Sequence, residues 1–187
     1  MTVNQLMTGD GSTTDGRTDR VARPRSAAVT LAVLVSSGIA SGAVFGLVWL
    51  LASPPIWYDV RRAGVFPEPS VEERWFSADA WFLMLGVACG LVLAVIAWVV
   101  GRNHPIAALV GLTLGGLIAA ATAWLLGGLL GPADPADVIA TLDVGSRVEA
   151  ALGLRAWAVM LAPAMAGVLG FTVAAAALSP KDPAVSP

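Results

Sequence analysis

The sequence predicts an all-α integral membrane protein: a four-transmembrane-helix bundle made of two parallel two-helix repeats with outer helical extensions. Three observations predict it. First, the windows Ser26 to Tyr58, Ala80 to Gly101, Pro105 to Ala133 and Ala156 to Pro180 each run 20 or more residues without a charged side chain. A helix of about 20 residues, rising ~1.5 Å per residue, crosses the ~30 Å hydrocarbon core. Second, 57% of the 187 residues are apolar and 13% charged, and the mean hydropathy is +0.77, outside the range of soluble globular domains. Third, the second pair of windows repeats features of the first about 76 positions later.

Residues 1–25 are rich in Thr, Gly and Asp and lack an aliphatic pattern, so they read as a disordered cytoplasmic tail that buries too little surface to fold. The tail ends in Arg17, Arg20, Arg23 and Arg25, and basic residues beside a first span favour the cytoplasmic side. The apolar run that follows is too long for a signal-peptide core and ends in no A-x-A site, so an uncleaved first span is expected.

The four-span membrane domain covers residues 26–178, with spans at about 27–52, 78–100, 106–130 and 156–178. In the first span Gly38, Gly42 and Gly46 recur on one face, and Ser53-Pro54-Pro55 closes the helix. The outer connection, about 53–77, contains Trp57, Tyr58 and Trp75 and ends in a capping box, Ser70 with Glu73. A helix begun there reaches Val100 after about 45 Å, some 15 Å more than the hydrocarbon requires, so it projects outside. The second span repeats the small-residue spacing at Gly86 and Gly90, and its Cys89 reads as a packing residue.

The turn Arg102-Asn103-His104-Pro105 holds the chain's one histidine. With no second ligand or orienting carboxylate nearby, His104 reads as a solvated loop residue. The third span carries Gly111 with Gly115, then Gly127 with Gly131. In the outer connection of about 131–155, Asp134-Pro135-Ala136-Asp137 has the cap, proline and acid of a short helix, and Ser146 with Glu149 forms a second capping box. That box predicts an outward extension of the fourth helix, interrupted at Gly153. The fourth span has Ala162, Ala166 and Gly170 beside Pro163, and residues 179–187 form a cytoplasmic stub.

Small residues four apart let membrane helices approach closely. Their consequence is either packing within one bundle, the commoner case, or homodimerisation or a sliding gate. Trp49, Trp81, Trp124 and Trp157 fall near the outer ends of the spans and Trp98 near an inner end, as interfacial anchors do. Six Lys and Arg residues lie on the side of the tail, the Arg102 turn and the stub, against five in the two long connections. With four arginines before the first span, both termini are expected in the cytoplasm.

The repeat is clearest where SVEERWFSADAWFLML from Ser70 is laid over SRVEAALGLRAWAVML from Ser146, matching at six of sixteen positions. The alternative is that interfacial tryptophan chemistry recurs at helix ends without duplication. Two intervening spans give both copies the same orientation, which implies a pseudo-twofold axis along the membrane normal. Asp79 and Arg155 hold equivalent positions, each directly before Ala-Trp. They form either an outer ion pair or two separate boundary caps.

No span core carries a charged side chain, whereas ion-coupled transport usually places one in the bilayer and a hydrolase needs a nucleophile with a base or metal ligands. The hydroxyls Ser36, Ser37, Ser41, Thr113, Thr122 and Thr172 are expected to bond back to their own helices. No catalytic, cofactor-binding or metal-ligating residue is assigned, and no nucleic-acid partner.

The runs GAVFGLVWLLASPP, SADAWFLMLGVACGLVLAVIAW and GLTLGGLIAAATAWLLGGLLGP resemble an actinobacterial family of small four-span membrane proteins known only as a domain of unknown function. The resemblance covers roughly Gly38 to Leu178, and the tail and outer loops diverge from it. It implies four helices in the inner (plasma) membrane and carries over no functional residues. The expected function is a non-catalytic scaffold or accessory subunit of a cell-envelope complex, partnered by the lipid bilayer and an envelope protein or further copies of itself. The alternative is a small transporter or channel built from the two repeats. A water-accessible cavity between the halves would favour transport, and glycine faces closed against neighbouring helices would favour the scaffold. If a site exists, it is expected at the outer rim, around Ser70 to Trp81 and Ser146 to Trp157.

Overall fold

Four apolar helices form a membrane bundle in the structure, a computed structural model that describes residues 24–62, 64–67, 69, 71–132, 144–149 and 153–178. They are α1 (Pro24–Ala52), α2 (Val71–Gly101), α3 (Pro105–Leu130) and α4 (Ala162–Leu178), the last entered through a 3-10 turn, Trp157–Leu161. The segments long and apolar enough to span a membrane are Ala27–Ala52, Glu72–Gly101, Pro105–Leu130 and Trp157–Leu178. Only 28–44% of their apolar windows is buried inside the protein. The remaining hydrocarbon surface, including Leu51, Val95 and Leu129, is left for lipid. Residues 1–23 of the tail, Ser70, the Asp134 to Asp137 segment and the stub lie outside the described residues, and the first helix takes in Pro24 and Arg25.

Each helix lies most closely against its counterpart in the other half, not its neighbour in sequence: α1 runs along α3, and α2 along α4. Glycine makes this approach feasible. A methyl group built on Gly42 would come within 2.7 Å of the Ala119 Cα, and one on Gly46 within 2.8 Å of the Ala123 Cα. One on Gly38 would strike the Gly115 backbone. The contacts step four residues along both helices in the same direction, so α1 and α3 are parallel.

The α2–α4 pair has the same character. A methyl on Gly86 would lie 3.4 Å from the Ala162 Cβ, one on Gly90 2.9 Å from the Ala166 Cβ, and one on Gly170 3.2 Å from the Ala94 Cβ. Contact between residues 76 or 77 apart, repeated along both pairs, is the register that a pseudo-twofold axis along the bundle would give. A further close point, unforeseen in the sequence, joins α3 to α4, where Gly116 faces the Ala164 Cα at 2.5 Å from a built methyl.

The two ends of the bundle differ. At one, the turn end, His104 N–H donates to the Gly101 carbonyl over 2.9 Å and α3 begins with Pro105. At the other, the sheet end, the long connections meet in a three-stranded antiparallel sheet of order β2-β1-β3, with β1 Trp57–Arg61, β2 Gly64–Pro67 and β3 Arg147–Glu149. The β1–β2 hairpin pairs Val60 with Val65 and Arg61 with Gly64, whose φ of +129° suits glycine. On the other side, Trp57 pairs with Glu149 and Asp59 with Arg147. The ladder continues through Val60 N–H to Ser146 O at 3.0 Å and Gly145 N–H to Val60 O at 2.8 Å.

This sheet corrects the expectation for Ser146 and Glu149. They do not cap a helix: Glu149 ends a strand and Ser146 sits in the turn that enters it. The open edge of β1 satisfies the backbone of 145–149, and the Asp59 carboxylate meets the Arg147 guanidinium at 3.3 Å. Those non-local partners outweigh a local capping box. The fourth span therefore has no helical projection, whereas α2 has one from Val71, with Glu72 and Glu73 in its first turn. Pro163 adds to the asymmetry. It has no N–H to donate, so it suits the first turn of α4, and the turn before it is 3-10.

Candidate interaction rim at the sheet end

The rim is assembled where α2 enters the bundle beside the chain leading into the 3-10 turn. Asp79, at the start of the apolar part of α2, points its carboxylate at the start of the 3-10 turn. It accepts the Arg155 N–H over 3.3 Å and the Ala156 N–H over 3.0 Å. These donors lie just before the helical segment, where no intrahelical carbonyl is available. Asp79 and Arg155 are thus brought together as the repeat offset suggests, but through the Arg155 backbone. The guanidinium instead stacks over the Trp75 ring, 5.3 Å from its centroid.

Trp49 is placed differently from the interfacial anchor expected of it. It is fully buried, its indole N–H donates to the Ala78 carbonyl over 3.1 Å, and its ring meets Phe82 edge-on at 5.1 Å. Gly127 provides the notch for the Trp49 ring, because any methyl there would overlap it. This single side chain links α1, α2 and α3 directly beneath the rim. Trp81 and Trp157 are exposed. Trp124 stacks obliquely on Trp157 at 5.5 Å, and Trp98 meets Phe171 at 6.1 Å.

Above Trp49 is a small cleft of about 50 Å³, walled by Leu50, Ser53, Pro54, Pro55, Trp75, Glu149 and Gly153. Arg74 ties α2 to this wall by donating from Nη1 to the Pro55 carbonyl over 2.6 Å. Ser53 Oγ and Trp75 Nε1 are buried and without a hydrogen-bond partner among the described residues. A space of this size with two unsatisfied polar atoms fits one or two ordered waters. The cleft is too small for an organic substrate.

The remaining glycines of the sequence reading are packing positions. Gly38, Gly42 and Gly46 close against α3, Gly86 and Gly90 against α4, and Gly111 and Gly115 against Leu34 of α1. Among the hydroxyls, Ser36, Ser41, Thr113 and Thr172 donate to carbonyls three or four residues back in their own helices. Cys89 is buried with its thiol 3.5 Å from Ser41 Oγ. His104 is half-buried in the turn. Among the described residues, no group of three His, Cys, Asp or Glu side chains is placed to hold a metal ion.

The sheet was the part of this site missed in the sequence. Its signals were the aromatic and β-branched run Trp57-Tyr58-Asp59-Val60 after two prolines, and Gly64 and Gly145 as turn residues. No protein-family model, curated protein or solved structure matches the chain.

Proposed function

We propose that the protein is a non-catalytic membrane scaffold or accessory subunit that presents its sheet-end rim to an envelope partner. One observation carries the reading: the small-residue faces at membrane depth are closed helix against helix. Gly42 lies against Ala119, Gly90 against Ala166 and Gly116 against Ala164, leaving these faces no room for a water-lined path. The features that could differ between partners gather instead at the sheet end, in the short open-edged sheet, the exposed Phe66, Phe76 and Trp157, and the Asp59–Arg147 pair.

The finer terms of the proposal are a plasma-membrane location in an actinobacterium, the turn end in the cytoplasm, and origin by internal duplication. They rest on the arginines before α1, the resemblance of the spans, and the 76-residue match of Ala80–Trp81 to Ala156–Trp157. Photocrosslinking in native membranes from Phe76, which is 77% exposed, tests the functional reading. A reproducible heterologous adduct that also forms from Phe66 and not from the lipid-facing Val95 is expected. Adducts to lipid and to the same chain alone would reject the accessory role, and solute flux in proteoliposomes would favour transport.

A further inference from the structure

A second concavity lies at the opposite end of the molecule from the rim. It opens at the turn end between the first turns of α1 and α3 and has a volume of about 440 Å³, within the ~300–1,000 Å³ range of small-molecule sites. Ala27, Leu31, Ile106 and Val110 make its apolar floor, and Asn103 and His104 its polar lip. Leu31 and Val110 lie about one to one and a half helical turns from the starts of the apolar spans at Ala27 and Pro105, so the floor descends ~6–8 Å below the membrane boundary.

Positive charge predominates in the sequence next to the mouth. Arg102 is exposed beside Asn103. In the sequence Arg17, Arg20, Arg23 and Arg25 all fall within ten residues of Ala27, opposed in that stretch by Asp19 alone. No Asp or Glu occurs in residues 20–58 or 80–133, which contain every lining residue. A greasy floor at the depth of the first acyl carbons, under a cationic mouth at headgroup level, complements an anionic amphiphile. A second copy of this chain fits poorly, because a parallel pair meeting here would set two copies of Arg102 against each other.

We propose that this pocket binds an anionic phospholipid, with the phosphate at Arg102, Asn103 and His104 and an acyl chain along Leu31, Ile106 and Val110. The proposal is independent of the rim's function.

Native mass spectrometry of the full chain in neutral detergent, titrated with phosphatidylglycerol or phosphatidylcholine, tests it. Phosphatidylglycerol should bind at least fivefold more tightly, and the preference should shrink as ionic strength rises. Arg102→Gln should weaken phosphatidylglycerol binding about fivefold, and a full-length chain that also carries R17Q, R20Q, R23Q and R25Q should bind it more weakly still. Ala107→Trp, filling the pocket, should reduce binding of either lipid. Arg102→Gln alters an exposed side chain and remains informative should Ala107→Trp fail to fold. Equal retention of both lipids overturns the proposal, as does a folded Ala107→Trp protein that binds like wild type. So does displacement of the lipid by glycerol phosphate alone, or a lipid-independent dimer that occludes the pocket.

Discussion

At the scale of single residues, the sequence located a pair without giving its chemistry. The 76-residue offset linked Asp79 to Arg155, and the structure brings them together, but the carboxylate binds two backbone N–H groups while the guanidinium covers Trp75. Residue types and spacing do not specify which atoms of an arginine a neighbour will meet. The consequence is asymmetric. Asp79→Ala should cost about 1 kcal/mol, the middle of the range for a lost helix cap, whereas Arg155→Ala should cost less because its cation–π contact is exposed. The charge-swapped double variant should remain as unstable as Asp79→Arg alone in thermal unfolding. Rescue by the swap would show that a side-chain ion pair matters after all.

Trp49 makes the same point about burial. A tryptophan near a span end looks interfacial in any one-dimensional reading, and only the meeting of Phe82, Ala78 and the Gly127 notch makes this one a core residue. Trp49→Phe should lose about 1 kcal/mol, roughly the net value of its hydrogen bond. Trp49→Ala should lose about 3–5 kcal/mol, as large-to-small core changes do. Trp157→Ala, at an exposed ring, should shift the melting temperature far less. Equal shifts for Trp49→Ala and Trp157→Ala would mean that Trp49 is not the link between the three helices.

At the scale of elements, legibility followed locality. The spans and their glycine stripes are set by composition and four-residue spacing within one segment, so both were readable, and so was the back-bonding of four of the six hydroxyls, Ser36, Ser41, Thr113 and Thr172. The sheet was not, because β1 gains its partner β3 from a segment some 90 residues later. A three-residue strand, Arg147–Glu149, leaves too short a pattern to compete with the capping box it also spells. The glycine stripes can be tested directly. Gly42→Val and Gly90→Val each place side-chain atoms where a neighbouring helix backbone runs, and both should separate the pairs and sharply reduce folded yield in detergent. Gly128, with open space where its Cβ would be, should accept Ala without loss. Similar yields for all three variants would mean that the close α1–α3 and α2–α4 approaches are not what holds the bundle.

At the scale of the whole molecule, four spans place the start of α1, the α2–α3 turn and the end of α4 at one face of the membrane, and the sheet at the other. The structure fixes that relation, and the proposed orientation assigns the two faces from charge. It rests on the arginines clustered before α1 in the sequence, set against the more dispersed basic residues of the sheet end, because positive charge within about 15–20 residues of the first span usually dominates insertion. In a Cys89→Ala background, Arg62→Cys in the sheet hairpin and Arg102→Cys in the turn are both exposed reporters. An impermeant maleimide should label Arg62→Cys in intact cells and Arg102→Cys only after permeabilisation. The reverse pattern would invert the molecule, putting the rim in the cytoplasm and the pocket beside Arg102 outside. An envelope partner and an anionic inner-leaflet lipid would then both be the wrong ligands to seek.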